Sequence, residues 1–170
     1  HFMFSNGLLT NGVFMQKIDV IIDLSFGDTG KGKVVNYLAT KKPYTHCLRY
    51  SGGANAGHTI YIDGKKIVTH MVPSGVLHGM KGYIGSNCLI HPESFIKEID
   101  ELEKLGFKCK DLVKISTQAF IVTQDNLEED SKDSIIGTTK RGIGPASRDK
   151  YARTGTQAKD VEILKPFLSD

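Results

Sequence analysis

The sequence is poor in the features that mark membrane, disulfide-rich and nucleic-acid-binding proteins. No apolar run approaches the roughly 18 residues that a membrane-spanning helix needs. Cys47, Cys88 and Cys109 are far apart and form no C-x-x-C pair, which argues against a disulfide framework and a zinc site and indicates a reducing cytoplasm. Basic residues outnumber acidic ones only by 22 to 19, so charge alone does not indicate a nucleic-acid partner.

The first residues also lack the signs of a targeting segment. Residues 1–16 contain no basic start followed by an apolar stretch, which a secretory signal peptide requires. The regular pattern of the chain begins after Met15. We therefore interpret residues 1–14 as a leader or cloning remnant, leave them out of the reasoning about the fold, and interpret residues 15–170 as one domain.

Glycine is abundant instead, with 18 residues clustered between segments that alternate in strand and helix character. A β-branched run at Ile18–Leu24 predicts a buried parallel strand, and residues 34–40 predict a helix behind a glycine-rich turn. The pair Asp63-Gly64 within an alternating run predicts a hairpin, and Pro92 and Gly106 bound a further helix. This order predicts an α/β fold: a mixed, mostly parallel sheet flanked by helices, with a P-loop-like phosphate-binding turn after the first strand.

The first glycine-rich turn, Gly27–Lys33, reads GDTGKGK. It fits the pattern G-x-x-x-x-G-K, but Val34 follows where a P-loop has the Ser or Thr that holds Mg²⁺. Backbone N–H groups freed by the glycines, the helix N-terminus and two lysines favour phosphate oxygens. Asp28 is the carboxylate within this turn that could hold the metal instead.

A second glycine-rich loop, Ser51–Thr59, reads SGGANAGHT. The amide of Asn55 offers both a donor and an acceptor, and His58 is the titratable side chain of the loop. A single histidine is often structural. Beside a phosphate-binding turn, however, His58 could act as an acid or stabilise charge on a transferred phosphoryl group.

Taken together, these motifs resemble those of the adenylosuccinate synthetase family. The resemblance includes GDTGKGK and NAGHT and continues through HMVPSG (70–75), residues 84–107 and IGTTKRGIGPASRDKYAR (136–153). It implies a cytoplasmic, homodimeric ligase of purine biosynthesis that joins IMP to L-aspartate with GTP and Mg²⁺, with neither nucleic acid nor membrane as a partner. Residues 15–170 would then form the N-terminal part of a GTP- and IMP-binding domain.

The resemblance also implies roles for individual residues. Asp28 matches the proton acceptor and a magnesium ligand, His58 matches the proton donor, and the backbone of Gly57 matches a second magnesium contact. The implied GTP contacts are Gly27, Asp28, Thr29, Gly30, Lys31, Gly32, Lys33, Gly57, His58 and Thr59. The implied IMP contacts are Asp28, Thr29, Gly30, Lys31, Asn55, Ala56, Gly57, His58, Thr139 and Arg153, the last reaching the IMP of the neighbouring subunit.

Departures from the family pattern keep other interpretations open. Phe26, Thr29 and Ala54 stand where the family usually has Trp, Glu, and His or Asn. Relatives that make 2-aminoadenylosuccinate from dGMP typically have Ser in place of the base, so Asp28 favours IMP. Family members are also longer, and their later half carries the guanine-recognition and aspartate-binding segments, so an inactive nucleotide-binding fragment is a second hypothesis. A generic P-loop NTPase is disfavoured by Val34 and by the NAGHT loop.

Overall fold

The computed structural model describes residues 2–5, 9–10, 13–14, 17–22, 30–132 and 138–169. The strands are β1 (Phe2–Ser5), β2 (Leu9–Thr10), β3 (Val13–Phe14), β4 (Lys17–Val20), β5 (Tyr44–Gly52), β6 (His58–Ile62), β7 (Lys65–Thr69), β8 (Lys81–Ile90), β9 (Val113–Ser116), β10 (Phe120–Ile121) and β11 (Leu168–Ser169). The α-helices are α1 (Lys31–Lys41), α2 (Pro92–Lys104), α3 (Cys109–Leu112), α4 (Gln124–Lys132) and α5 (Ile143–Ala152). Short 3-10 turns cover Ser74–His78, Ala158–Asp160 and Glu162–Phe167.

A mixed sheet is built from these strands in the order β11-β9-β8-β5-β1-β4, and β10 pairs with the end of β8. The neighbours among β5, β8, β9, β10 and β11 pair in parallel, whereas β1 is antiparallel to both β5 and β4. The prediction of a mixed, mostly parallel sheet flanked by helices is therefore confirmed. Of the phosphate-binding turn predicted after the first strand, residues 27–29 lie outside the described residues.

The first predicted strand differs from the expectation for Ile18–Leu24. Strand β4 covers Lys17–Val20 and lies at the edge of the sheet, with Ile18 and Val20 half exposed, at 50% and 51%. For the described residues 18–22 the prediction of a buried parallel strand is wrong, and residues 23–24 lie outside the described residues. The physical reason is that β1 pairs with β5 and so separates β4 from the parallel strands.

The segment before Met15 also contributes to the sheet. Strand β1 pairs on both sides, and Met3 is fully buried in a small core with Val35, Tyr44 and Cys47. Residues 2–5 are therefore part of the described sheet. Their origin as a leader or cloning remnant stays a prediction.

Two local predictions are confirmed. Asp63 and Gly64 both have positive φ, 50° and 76°, and form the tight turn between the antiparallel strands β6 and β7. Helix α2 begins at Pro92 and ends just before Gly106, whose φ is +94°. Its inner face packs Phe95 and other apolar side chains into the main core, with Phe95 edge-on to Phe167 at 5.1 Å between ring centres.

The helices of the described part of the chain are short. The longest α-helix, α2, has 13 residues. Among these residues, no helix is both long and apolar enough to span a bilayer.

Candidate functional site

A cavity of about 330 Å³ opens at the carboxyl end of β5. In open α/β sheets this end of the strands is where ligands bind. The cavity brings together Lys31 of the first glycine-rich turn and Asn55, Ala56 and His58 of the second loop. Its other walls come from the end of β5 and from the residues after β4: Ile21, Ile22, Arg49, Tyr50, Ser51 and Gly52.

The two glycine-rich segments are held together by direct backbone packing. Helix α1 follows Gly30, which has a φ of +87°, and its first turn rests on the start of β6. A Cβ on Gly32 would lie 2.8 Å from His58 Cβ and 3.3 Å from His58 Cα. Gly32 therefore lets the positive end of the α1 dipole approach the loop that carries His58.

The backbone carbonyls of the second loop are fixed by three side chains. The guanidinium of Arg49 donates to Gly53 O at 2.6 Å, and that of Arg141 donates to Ala54 O at 2.6 Å. The ring nitrogen Nδ1 of His70 lies 3.3 Å from Ala56 O. Because carbonyls on both sides of Asn55 are fixed in this way, the loop is preorganised to present its amide side chain.

A buried carboxylate supports this arrangement from behind. Glu98 of α2 is 8% exposed and accepts hydrogen bonds from the backbone N–H groups of His70, Met71 and Val72, at 2.7, 2.8 and 3.2 Å. Burial raises the pKa of Glu98, although the three N–H donors act in the opposite direction. The carbonyl of His70 accepts from Arg49, which is itself only 4% exposed. The 70–72 segment thus connects a buried cation to a buried anion.

His58 is buried close to two positively charged side chains. Burial, followed by the positive charges of Arg49 and Lys31, lowers the pKa of His58 from 6.5 to about 4. Its imidazole is therefore neutral at neutral pH and can donate a hydrogen bond from an N–H group without carrying a charge. An anion bound in the cavity would offset the two cations and raise this pKa.

The described residues 138–144, which belong to the third glycine-rich segment, contact the second loop through Arg141 and through Ile143, whose side chain lies against Gly53. Thr139 and Arg141 precede α5, and the Arg141–Ala54 hydrogen bond joins this segment to the loop. Arg153 follows α5, has a φ of +62°, and is exposed. Neither Thr139 nor Arg153 lines the cavity.

The remaining predicted site residues divide into two groups. Gly27, Asp28 and Thr29 lie outside the described residues. Among the described residues, Gly30, Gly32, Gly57 and Thr59 do not line the cavity but are next in sequence to a residue that does, and Lys33 is two positions from Lys31. The functional roles assigned to all of them stay predictions.

Sequence analysis missed the buried pair Arg49 and Glu98. The available signal was their position, since Arg49 lies within a strand otherwise rich in apolar residues and Glu98 lies on the apolar face of α2, between Phe95 and Leu102. A charged residue at such a position is buried only when it has partners. Those partners are backbone groups of another segment, which the sequence pattern does not reveal.

The described residues offer few ligands for a metal ion. Among the described residues, no group of three or more His, Cys, Asp or Glu side chains could hold one. Gly57 is exposed and lies between Ala56 and His58, which line the cavity. Mg²⁺ ordinarily takes only one or two protein oxygens and completes its shell with phosphate oxygens and water. The residues present therefore fit a magnesium ion bound mainly through nucleotide phosphates.

Comparison with known sequences finds relatives that all belong to one family. A family model described as adenylosuccinate synthetase matches residues 20–168. The adenylosuccinate synthetase of Chlorobium phaeobacteroides is 44% identical over 166 residues, covering 92% of this chain and 38% of that protein. That of Fusobacterium nucleatum is 42% identical over 154 residues, covering 87% and 36%. The chain thus spans about two fifths of the length of these curated relatives.

Solved structures of two related synthetases have a similar fold over most of this chain. The fully ligated adenylosuccinate synthetase of Plasmodium falciparum superimposes with a TM-score of 0.69 at 36% identity, over 78% of this chain and 32% of that one. The succinoaminodeoxyadenylate synthetase of cyanophage S-2L, bound to dGMP and to dATP as energy donor, gives 0.67 at 26% identity, over 86% and 43%.

Proposed function

The chain belongs to the adenylosuccinate synthetase family, and from this premise we propose that the protein joins IMP to L-aspartate with GTP as the energy donor. The products are adenylosuccinate, GDP and phosphate. In this proposal the chain supplies the phosphate-transfer part of the site, which binds GTP and IMP. The protein works in the cytoplasm as a homodimer, in which Arg153 of each subunit reaches the IMP of the other.

The observation that carries the proposal is the shared cavity of the two glycine-rich segments. Lys31, at the positive end of α1, lines the same cavity of about 330 Å³ as Asn55, Ala56 and His58. A helix N-terminus with a lysine attracts phosphate, and the amide of Asn55 can bind polar ligand groups as donor and acceptor. Such a cavity can bind the phosphoryl group while it is transferred from one nucleotide to the other.

The proposed reaction has two steps. Asp28 removes the proton from N1 of IMP, so that O6 becomes nucleophilic and attacks the γ-phosphorus of GTP, forming 6-phosphoryl-IMP and GDP. The amino group of aspartate then attacks C6, the C6–O6 bond breaks, and phosphate and a proton are released. His58 donates a hydrogen bond to the transferring phosphoryl group, and Lys31 and Lys33 offset its negative charge.

Magnesium has a defined place in this proposal. Asp28 and the backbone carbonyl of Gly57 would hold the ion, which when bound neutralises charge on the GTP phosphates. Asp28 must remain ionised to act as a base, and a neighbouring cation such as Lys31 lowers the pKa of a carboxylate in general.

The test compares two proteins. One is the 170-residue chain, and the other is a chimera in which the chain replaces the matching segment of the Chlorobium phaeobacteroides enzyme. Each is mixed with IMP, GTP, Mg²⁺ and L-aspartate, and adenylosuccinate is followed by its ultraviolet absorbance. We expect the chimera to form product only with all four components. GTP hydrolysis without IMP would indicate a generic NTPase, and binding of GTP and IMP by the chain without turnover would indicate a nucleotide-binding fragment.

A second candidate substrate is dGMP. The cyanophage structure bound to dGMP superimposes on a larger share of this chain than the Plasmodium structure does, 86% against 78%. Sequence identity favours the Plasmodium enzyme, at 36% against 26%, and Asp28 favours IMP. Replacing IMP by dGMP, with GTP or dATP as donor, decides between them, because the preferred pair gives the larger kcat/KM.

A further inference from the structure

Helix α4 carries two buried polar side chains on the face that packs against α5. Asn126 and Asp130 are 4% and 5% exposed and lie four residues apart, hence on the same side of the helix. Burying a carboxylate and an amide costs free energy unless each is hydrogen-bonded. Asp130 is hydrogen-bonded to the residue at the start of α5, and Asn126 is hydrogen-bonded to the last turn of α5.

Asp130 holds the beginning of α5. Its Oδ2 accepts a hydrogen bond from the backbone N–H of Gly142 at 2.8 Å. Gly142 has a φ of +68°, and a Cβ there would lie 2.7 Å from Val122 Cγ1. Asp130 therefore fixes the residue directly after Arg141, whose side chain reaches the second loop.

Asn126 holds the end of α5. Its Nδ2 donates to Asp149 Oδ2 at 2.7 Å, while its Oδ1 accepts from the N–H of Thr123 at 3.0 Å. The backbone carbonyl of Asp149 in turn accepts from the N–H of Thr154 at 2.9 Å, just beyond Arg153. The turn that presents Arg153 is thus anchored to α4 through one amide.

Packing alone does not require these polar groups. An apolar cluster already joins the two helices, with Leu89, Val122 and Ala146 at its centre and Leu127 and Ile143 against it. Replacing buried polar groups by apolar ones is often neutral or stabilising, so their contribution here lies in fixing one register of α5 on α4.

We propose that Asp130 and Asn126 are positioning residues that fix the two ends of α5. They thereby set the position of Thr139 relative to Arg153 for IMP binding. This inference rests on the proposed function, in which both Thr139 and Arg153 contact IMP. It assigns α4 no contact with nucleotide. It therefore concerns IMP affinity and leaves GTP affinity unaffected.

The first test substitutes Asp130 in the chimera and measures KM for IMP and GTP separately. D130A leaves the Gly142 N–H without its buried acceptor, and we expect KM for IMP to rise about tenfold, which corresponds to about 1.4 kcal/mol, with KM for GTP unchanged. D130N keeps an acceptor oxygen and should stay within about twofold of the parent. E129A is the matched control, because it removes the exposed Glu129–Arg148 ion pair between the same two helices.

The second test does not depend on Asp130 and preserves the start of α4. N126D still accepts from Thr123 but places a carboxylate against that of Asp149, so KM for IMP should rise. The double variant N126D/D149N restores the hydrogen bond with donor and acceptor exchanged, and should recover most of the loss. Folding of every variant is checked by thermal unfolding.

Three outcomes are informative. A selective effect on IMP, with recovery in the double variant, supports the inference. Unchanged KM for IMP in folded D130A and N126D, or equal losses for IMP and GTP, overturns it while leaving the proposed function intact. A parent chimera that neither binds nor uses IMP refutes the proposed function, and the inference with it.

Discussion

Gly32 of α1 packs against His58 of β6 with no room for a side chain between them. A Cβ on Gly32 would stand 2.8 Å from the Cβ of His58. The glycine of the proposed phosphate-binding turn thus also sets the position of the histidine in the neighbouring loop. Backbone contact, in addition to any shared ligand, joins the two motifs.

Substituting Gly32 by Ala should move His58. Relief of a contact this short requires a backbone shift, because the Cα of His58 would also lie only 3.3 Å from the new Cβ. Overpacking of this kind typically costs about 1–3 kcal/mol, against a gain of up to about 1 kcal/mol from helix propensity. We expect a net loss of stability in thermal or urea unfolding.

Gly144→Ala is the matched control for that substitution. Gly144 lies in α5 and a Cβ there meets nothing within 4 Å. The control should change stability by less than about 1 kcal/mol, because the gain in helix propensity is opposed by the weaker α-helical preference of a residue that carries a Cβ before Pro145. A Gly32→Ala variant as stable as this control would contradict the packing argument.

The stability of the chain should fall with acidity partly through His58. Its pKa is about 4 in the folded chain against 6.5 for an unperturbed histidine, so the unfolded chain binds more protons between these values. The contribution of His58 to the free energy of unfolding is fully present above about pH 6.5 and is lost as the pH falls towards 4. Integrated, this amounts to roughly 3 kcal/mol.

His58→Gln removes that titration while keeping a polar side chain of similar reach. The difference in unfolding free energy between the variant and the parent should therefore shrink or change sign as the pH is lowered from about 7 to about 4. Urea unfolding at several pH values measures it. Parallel pH curves for the two proteins would show that His58 does not titrate as described.

Glu98→Gln should destabilise the chain without touching the cavity surface. The change replaces a carboxylate that accepts from three backbone N–H groups by an amide that has only one acceptor oxygen. Hydrogen bonds to a charged group contribute roughly 1.5–3 kcal/mol, and a loss of this size is expected in urea unfolding. Glu101→Gln, at an exposed site on the same helix, should have little effect.

Asp28→Asn in the chimera should abolish adenylosuccinate formation with little change in thermal unfolding. The amide cannot take the N1 proton of IMP, so the phosphoryl acceptor never becomes nucleophilic. The measurement is kcat with saturating IMP, GTP, Mg²⁺ and aspartate. Near-normal turnover would remove Asp28 from the role of base.

Local sequence signals predicted the elements that depend on neighbouring residues. Asp63-Gly64 indicated the hairpin, and Pro92 with Gly106 bounded α2, because turns and helix ends are decided by backbone preferences over a few residues. The glycine-rich segments also drew attention to Lys31, Asn55 and His58, which line one cavity.

Long-range partners decided what the sequence could not predict. The pairing of β1 with β5 joins residues of the first strand to a distant part of the chain and moved Ile18 and Val20 to the edge of the sheet. Arg49 and Glu98 likewise depend on the backbone of the 70–72 segment, which neither residue's own neighbours specify. Composition and periodicity contain no information on such pairs.

The position of β4 has a consequence for handling the protein. Within the described residues, β4 pairs only with β1, and its other side presents a strand with Ile18, Val20 and the following Ile22 at least half exposed. Such a strand is a template on which a second molecule can continue the sheet. In concentrated solution this side of β4 is therefore the place at which a second molecule would add a strand to the described sheet.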